Sequence, residues 1–187
     1  MRPESERLRL RLIDEADIEW LRETRNKNRN NFFSAEEITK EQQKAWYERY
    51  RESNIDNMFI IQLKDGRSVG TIALYNIDMG TRSAELGRVL ILDEFRGHGY
   101  AEEAVRVLAE CAFNLFRLYR IRVQTHMDNL DAIAVYARAG FKTTTRPIIL
   151  LEKINPNYDP KKPLVLESYD DMSPDGHEST ASNVRGE

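Results

Sequence analysis

Ala84-Glu-Leu-Gly-Arg-Val-Leu-Ile-Leu-Asp-Glu-Phe-Arg-Gly-His-Gly-Tyr-Ala101 decides the fold. Ala84 to Leu92 is apolar and β-prone, Asp93 to Gly99 is rich in turn residues, and a helical pattern opens at Gly99. Beyond it Ala101, Ala104, Val105, Leu108, Cys111, Ala112 and Leu115 recur at helical spacing and make one apolar face. A strand thus runs through a glycine-bearing turn into an amphipathic helix. The first amides of such a helix lack intrahelical partners, and its dipole adds positive charge there. Gly97 and Gly99 permit close approach and left-handed backbone, and Arg96 adds a fixed cation. These features together suit a pyrophosphate. Two familiar phosphate loops are excluded: residue 102 is Glu, which breaks G-x-G-x-x-G, and no G-K-[ST] follows.

Upstream, Leu8 to Ile13 alternates apolar and arginine residues as a half-buried strand does. Asp14 to Asn26 reads as a short helix and Arg25 to Phe33 as a polar loop. Thr39 and Gln42 have capping-box spacing, which predicts a second helix to about Arg51. Met58 to Leu63 and Val69 to Ile77 flank the hairpin signal Asp65-Gly-Arg-Ser68. Downstream come a strand over Arg120 to Thr125 and a helix over Asn129 to Ala139, closed by Gly140. Pro147 to Ile154 and Leu164 to Ser168 are expected as late strands. The order β-α-α-β-β-β-α-β-α-β-β predicts one α/β domain over residues 1–170 with a mixed sheet. Residues 171–187 are small, polar and charged, as expected of a flexible tail.

Composition narrows the classes. The 187-residue chain is 41% hydrophobic and 32% charged, which fits a folded domain with its own core. Its net charge of −3 makes no general case for nucleic-acid binding. A single cysteine, Cys111, forbids an internal disulfide. No apolar run reaches the roughly 18–20 residues of a membrane span, and Met1 to Leu12 does not read as a signal peptide. A cytoplasmic location is therefore expected, without a membrane partner. His98, His126 and His177 are scattered without ligand spacing, so no metal site is expected.

Two segments carry a family resemblance. Arg96-Gly-His-Gly-Tyr-Ala101 resembles the [QR]-x-x-G-x-[GA] signature of the GNAT superfamily of N-acetyltransferases. Asn129, Ala132, Tyr136, Gly140 and Phe141 match its N-x-x-A-x-x-x-Y-x-x-x-G-F element. The resemblance covers roughly residues 6 to 170. It implies a mostly antiparallel sheet flanked by helices, whose central strands (84–92 and 119–127) splay apart around the pantetheine arm of acetyl-CoA. It implies cofactor contacts from Val89, Ile91, Arg96, Gly97, His98, Gly99, Tyr100, Ala101 and Asn129. A backbone amide near Val89, freed by a bulge near Gly87, would meet the oxyanion.

Direct attack by an amine on a thioester in a ternary complex needs a base, because a primary amine of pKa about 10 is almost all ammonium at neutral pH. Glu85 and His126 are the two candidates, and Tyr136 is the candidate acid for the leaving thiolate. Cys111 lies on the apolar stripe, as packing and not as a nucleophile.

The family resemblance puts the acceptor site in the first two helices and their loop. Arg25, Lys27 and Arg29 are candidates for a nucleotide diphosphate, and Phe32, Phe33 and Trp46 for stacking on a base or sugar. This region resembles acetyltransferases of nucleotide-linked 4-amino sugars and, as the alternative, Rim-type enzymes that modify protein N-termini. A polyamine acceptor is less favoured, since only Glu36 and Glu37 offer carboxylates in the loop. The other class to weigh is a non-catalytic acyl-CoA-binding module. The late hairpin offers an edge through which a homodimer could pair.

Overall fold

The computed structural model describes residues 3–32, 34–145 and 149–154. Among the described residues, seven strands form one sheet in the order β1-β2-β3-β4-β5-β7-β6. They are β1 Leu8–Leu12, β2 Asn57–Leu63, β3 Ser68–Asp78, β4 Ser83–Ile91, β5 Arg120–Thr125, β6 Lys142–Thr145 and β7 Ile149–Ile154. The helices are α1 Ile18–Lys27, α2 Lys40–Glu52, α3 Tyr100–Leu115 and α4 Leu130–Arg138. All neighbours pair antiparallel except β4 and β5, which are parallel. That parallel pairing is short: Ser83, Ala84 and Glu85 stand opposite Arg120, Ile121 and Arg122.

Both faces of the sheet are covered, and β2 shows how the sequence arranges it. Phe59 and Ile61 join the large core under α3 and α4, with Leu74, Leu86, Val105 and Leu108. Met58 and Ile60 point the other way, into a second core with Leu21 of α1 and Tyr47 of α2. Side chains alternate along a strand, so a run apolar at every position serves two layers. Ile60 and Ile61 are both fully buried.

Local signals explain most boundaries. Thr39 and Gln42 form the expected reciprocal cap of α2, with Gln42 N–H donating to Thr39 Oγ1 at 3.2 Å and Thr39 N–H to Gln42 Oε1 at 2.8 Å. Gly140 takes φ +90° just after α4. The first helix differs from expectation. Asp14 accepts from Ala16 N–H at 2.9 Å and caps a 3-10 turn at Glu15–Asp17, and the α-helix proper starts only at Ile18.

The late strands also differ. A strand at Lys142–Thr145, not expected from sequence, pairs with β7. Its threonines are β-branched but show no apolar alternation, so propensity was the one signal available. β7 occupies the end of the expected Pro147 to Ile154 strand. Leu164 to Ser168 and the tail lie outside the described residues. Among the described residues, no helix is long and apolar enough to cross a membrane.

Candidate active site

β4 is distorted where the site begins. Ala73 of β3 stands opposite Gly87 and Thr71 opposite Leu90, so two residues of β4, Arg88 and Val89, face the single Ile72. This is the bulge expected near Gly87. Arg88 takes φ +50°, a left-handed backbone that costs a side-chain-bearing residue roughly 1–2 kcal/mol. Several contacts offset that cost. Thr71 Oγ1 donates to Arg88 O at 2.9 Å. The Arg88 guanidinium donates to both carboxylate oxygens of Asp56, at 2.9 and 2.8 Å, and lies 4.6 Å from the Tyr75 ring centroid.

A cavity of about 670 Å³ opens beside this bulge, where β4 and β5 part. Gly87, Arg88 and Val89 line it from β4, Gln124, Thr125 and His126 from the end of β5, and Asn129, Ala132 and Tyr136 from α4. The opposite wall comes from α1, α2 and their loop, including Arg25, Phe32, Glu36, Glu37, Trp46 and Arg49. Its volume is in the range of small-molecule sites.

Tyr136 is buried and meets Phe141 edge-on, with ring centroids 5.9 Å apart. Burial pushes its phenol far above the ordinary tyrosine range, and the neighbouring Tyr75 adds to the shift. His126 shares the cavity with Tyr136 and is exposed. Glu85 lies in the paired part of β4, opposite Tyr75 and Arg122, and is not among the residues lining the cavity. Asn129 uses its side chain to cap α4, accepting from Ala132 N–H at 3.1 Å.

The turn after β4 is built as the sequence suggests. Gly97 and Gly99 both take φ +78°, and Gly99 is the N-cap of α3 with no side chain to close the helix start. A β-carbon on Gly97 would meet nothing within 4 Å, so the surface above the turn is open to a ligand. Open amides, a helix N-terminus and adjacent cations fit a pyrophosphate. The turn is tied to the segment before β1. Arg7 bonds Glu103 through Nε at 2.7 Å, donates to His98 O at 3.1 Å and lies over the Tyr100 ring at 5.0 Å. The His98 ring stacks on Tyr100, and its Nδ1 donates to Arg96 O at 2.9 Å. Arg96 is held at 3.0 Å from Asp93. Val89 lines the cavity, and Ile91, at the end of β4, does not.

The acceptor-side residues divide. Arg25 donates to Glu36 O at 2.8 Å and Ser34 O at 2.9 Å, and its guanidinium lies 5.3 Å from the Phe32 ring. It fastens the loop at the cavity wall. Asn26 does the same through Ile38, donating to its carbonyl at 2.8 Å and accepting from its N–H at 2.9 Å. Arg29 is 3.7 Å from Glu37 and is not among the lining residues. Trp46 lines the cavity and stacks on Tyr50 at 5.3 Å. Phe33 lies outside the described residues. Asp56, Tyr75, Arg88 and Arg49 were not anticipated; Arg88 directly follows the bulge glycine, which was the available clue. Among the described residues no group of three or more His, Cys, Asp or Glu side chains could hold a metal ion.

Comparison with known proteins supplies the family. Residues 7–142 match the Acetyltransferase (GNAT) domain. The chain is 24% identical over 137 residues to spermidine N(1)-acetyltransferase of Vibrio cholerae, covering 72% of this chain and 78% of that one. It is 38% identical over 79 residues to the putative ribosomal N-acetyltransferase YdaF of Bacillus subtilis, covering 42% of this chain and 43% of the other. In fold it is similar to the crystal structure of the Vibrio cholerae spermidine N-acetyltransferase in complex with CoA and spermine, with a TM-score of 0.75 and 19% identity over 81% of this chain and 97% of that one. The chain belongs to the GNAT acetyltransferase family and is an acetyl-CoA-dependent N-acetyltransferase.

Proposed function

We propose that the enzyme acetylates a single amine carried on an anionic body, and that a nucleotide-linked 4-amino sugar is that acceptor. The observation that carries this reading is the charge of the acceptor wall. Arg25, Arg49 and Arg88 line the cavity against the carboxylates Glu36 and Glu37. Arg25 is engaged with loop carbonyls and Arg88 with Asp56. Arg49 is exposed, and no ion pair or hydrogen bond ties its side chain among the described residues. Glu37 already faces Arg29. A polycation such as the spermidine of the Vibrio cholerae relative would find two carboxylates and an uncompensated arginine, whereas an anionic acceptor finds a cation beside the aromatic Trp46 and Phe32.

The chemistry follows from the same cavity. His126 takes the proton that the ammonium must lose, directly or through a water, because it shares the cavity with Tyr136. The amine nitrogen then bonds to the thioester carbonyl carbon, and the Val89 amide donates to the oxygen that becomes negative. The carbon–sulfur bond breaks as the carbonyl reforms. Tyr136 donates a hydrogen bond to the departing sulfur without releasing its proton; the proton that the attacking nitrogen sheds as the amide forms passes through water to the CoA thiolate. A phenol raised above its ordinary pKa is a weaker acid than a thiol of pKa about 8.5. The turn of Arg96 to Ala101 holds the pyrophosphate of the acetyl donor.

A second reading, acetylation of a protein N-terminus, comes from the Rim-type resemblance of the acceptor region and is favoured by the similarity to the putative ribosomal N-acetyltransferase YdaF. An α-amine, of pKa about 7.7–8.0, needs less help from a base than a primary alkylamine. Free-CoA release from acetyl-CoA separates the readings, using a UDP-linked 4-amino sugar, a peptide with a free N-terminus and spermidine. Turnover led by the amino sugar is expected. Preference for the peptide moves the enzyme to the second reading, and preference for spermidine overturns both.

A further inference from the structure

The contact between Asp56 and Arg88 joins two segments 32 residues apart, just before β2 and at the bulge of β4. Both side chains are largely buried, with 14% and 21% of their surfaces exposed. Buried ion pairs are weak sources of net stability, because desolvation opposes the attraction. This pair does something more specific. Arg88 is the residue that leaves the regular ladder in a left-handed conformation, and its side chain, carbonyl and neighbouring ring are all fastened. Asp56 holds the guanidinium, Thr71 holds the carbonyl, and Tyr75 lies under the guanidinium with its hydroxyl against Gly87. Thr71 bonds the carbonyl of the Arg88–Val89 peptide and Asp56 holds the Arg88 side chain, so the Val89 N–H, which belongs to that same planar peptide, has little freedom to turn.

We infer that the Asp56–Arg88 pair is the positioning device of the bulge: it sets the direction of the Val89 amide, so that Asp56 and Arg88 are positioning residues for acetyl transfer. The inference rests on the reading that this amide meets the developing oxyanion. A preorganised donor acts by already pointing where charge will appear, so its loss lowers turnover more than ground-state binding. Neither side chain has to touch the substrate for this effect.

The test uses Arg88→Gly, Asp56→Asn and Asp56→Glu in the full chain. Glycine takes the left-handed backbone without steric cost, so Arg88→Gly removes the clamp without backbone strain, and urea unfolding of each variant sets the conditions under which it is folded. Free-CoA release is followed with acetyl-CoA and hydroxylamine, a small nucleophile that needs no acceptor subsite, and separately with the UDP-linked amino sugar. Acetyl-CoA affinity and amide exchange over residues 86–90 are measured alongside. Arg88→Gly and Asp56→Asn are expected to lower hydroxylamine turnover about tenfold. They should also speed exchange at 86–90 and leave acetyl-CoA Kd within about twofold, with Asp56→Glu recovering part of the rate. Wild-type turnover in Arg88→Gly overturns the inference, as does a lost rate matched by an equal loss of acetyl-CoA affinity. If the amino sugar is inert while the hydroxylamine effect holds, the clamp stands and the acceptor reading falls.

Discussion

The Tyr75 hydroxyl oxygen lies 2.9 Å from the point that a β-carbon on Gly87 would occupy, with ring carbon Cε1 at 3.2 Å. The phenol therefore closes over the glycine at the edge of the cavity, and its ring is backed by the Arg88 guanidinium. Gly87→Ala should force that ring to move and destabilise the protein by about 1–3 kcal/mol, the usual range for overpacking. Urea unfolding measures the loss. Tyr75→Phe in the same chain removes the shortest contact and should recover part of it. An unchanged midpoint in Gly87→Ala would show that the joint has slack.

Tyr136→Phe removes a donor and leaves the packing on Phe141 in place. Turnover should fall roughly 10- to 100-fold while acetyl-CoA affinity holds, in line with loss of one preorganised donor. The raised pKa sets the pH behaviour. The phenol stays protonated beyond the ordinary tyrosine value of about 10, so wild type loses no activity near pH 10 through this group. Rate–pH profiles of the two proteins should differ in height and keep the same alkaline shape.

Arg49→Gln tests the charge of the acceptor wall. With an anionic nucleotide-linked acceptor, KM should rise about tenfold, the effect of one lost charge-assisted contact. KM for acetyl-CoA should not change, because Arg49 belongs to α2 and the donor turn lies at the start of α3. Equal KM values for wild type and variant would remove Arg49 from acceptor recognition.

Glu103 predicts how acid acts on the fold. Burial alone would raise its carboxyl, but hydrogen bonds from Ser5 and Arg7 reverse this and hold it below the ordinary 4.5. A lowered folded pKa contributes stability that is present above the ordinary value and lost as pH falls through the folded one. Glu103→Gln should therefore be less stable than wild type at pH 7, by about 1 kcal/mol given the half-exposed Arg7. The gap should close below pH 4.5. A gap that persisted at low pH would mean that packing, and not charge, ties the segment before β1 to α3.

What the sequence disclosed was mostly local. The cap of α2, the Asp65 to Ser68 hairpin, the β4–turn–α3 unit and the short helix carrying Tyr136 depend on neighbours within a few residues, and all were visible in the pattern. The bulge near Gly87 entered through the family resemblance and not through spacing. Arg25 reads from sequence as a cation for a ligand, yet the segment 34–36 forms no helix or strand, and its carbonyls take the guanidinium instead. Asp56 could not be assigned to Arg88 from sequence, because that partnership depends on β3 pairing with β2 on one side and β4 on the other. Read from sequence, Glu85 leads His126 as the base because it lies on the strand that enters the motif. In the fold the two are placed differently: His126 lines the cavity, and Glu85 occupies the last of the three paired positions and is not part of the lining.

That parting has a mechanical meaning. Three register pairs are the stitched spine between a four-stranded leaf and a three-stranded one. A molecule wedged between the leaves touches both, and so takes the place of the missing stitches. Bound at a hundred times its Kd, such a wedge adds about 2.7 kcal/mol to the folded state. If acetyl-CoA is that wedge, the enzyme should be stiffest when charged with its donor and loosest just after the product has left, and its resistance to proteases and heat should rise with the supply of acetyl-CoA.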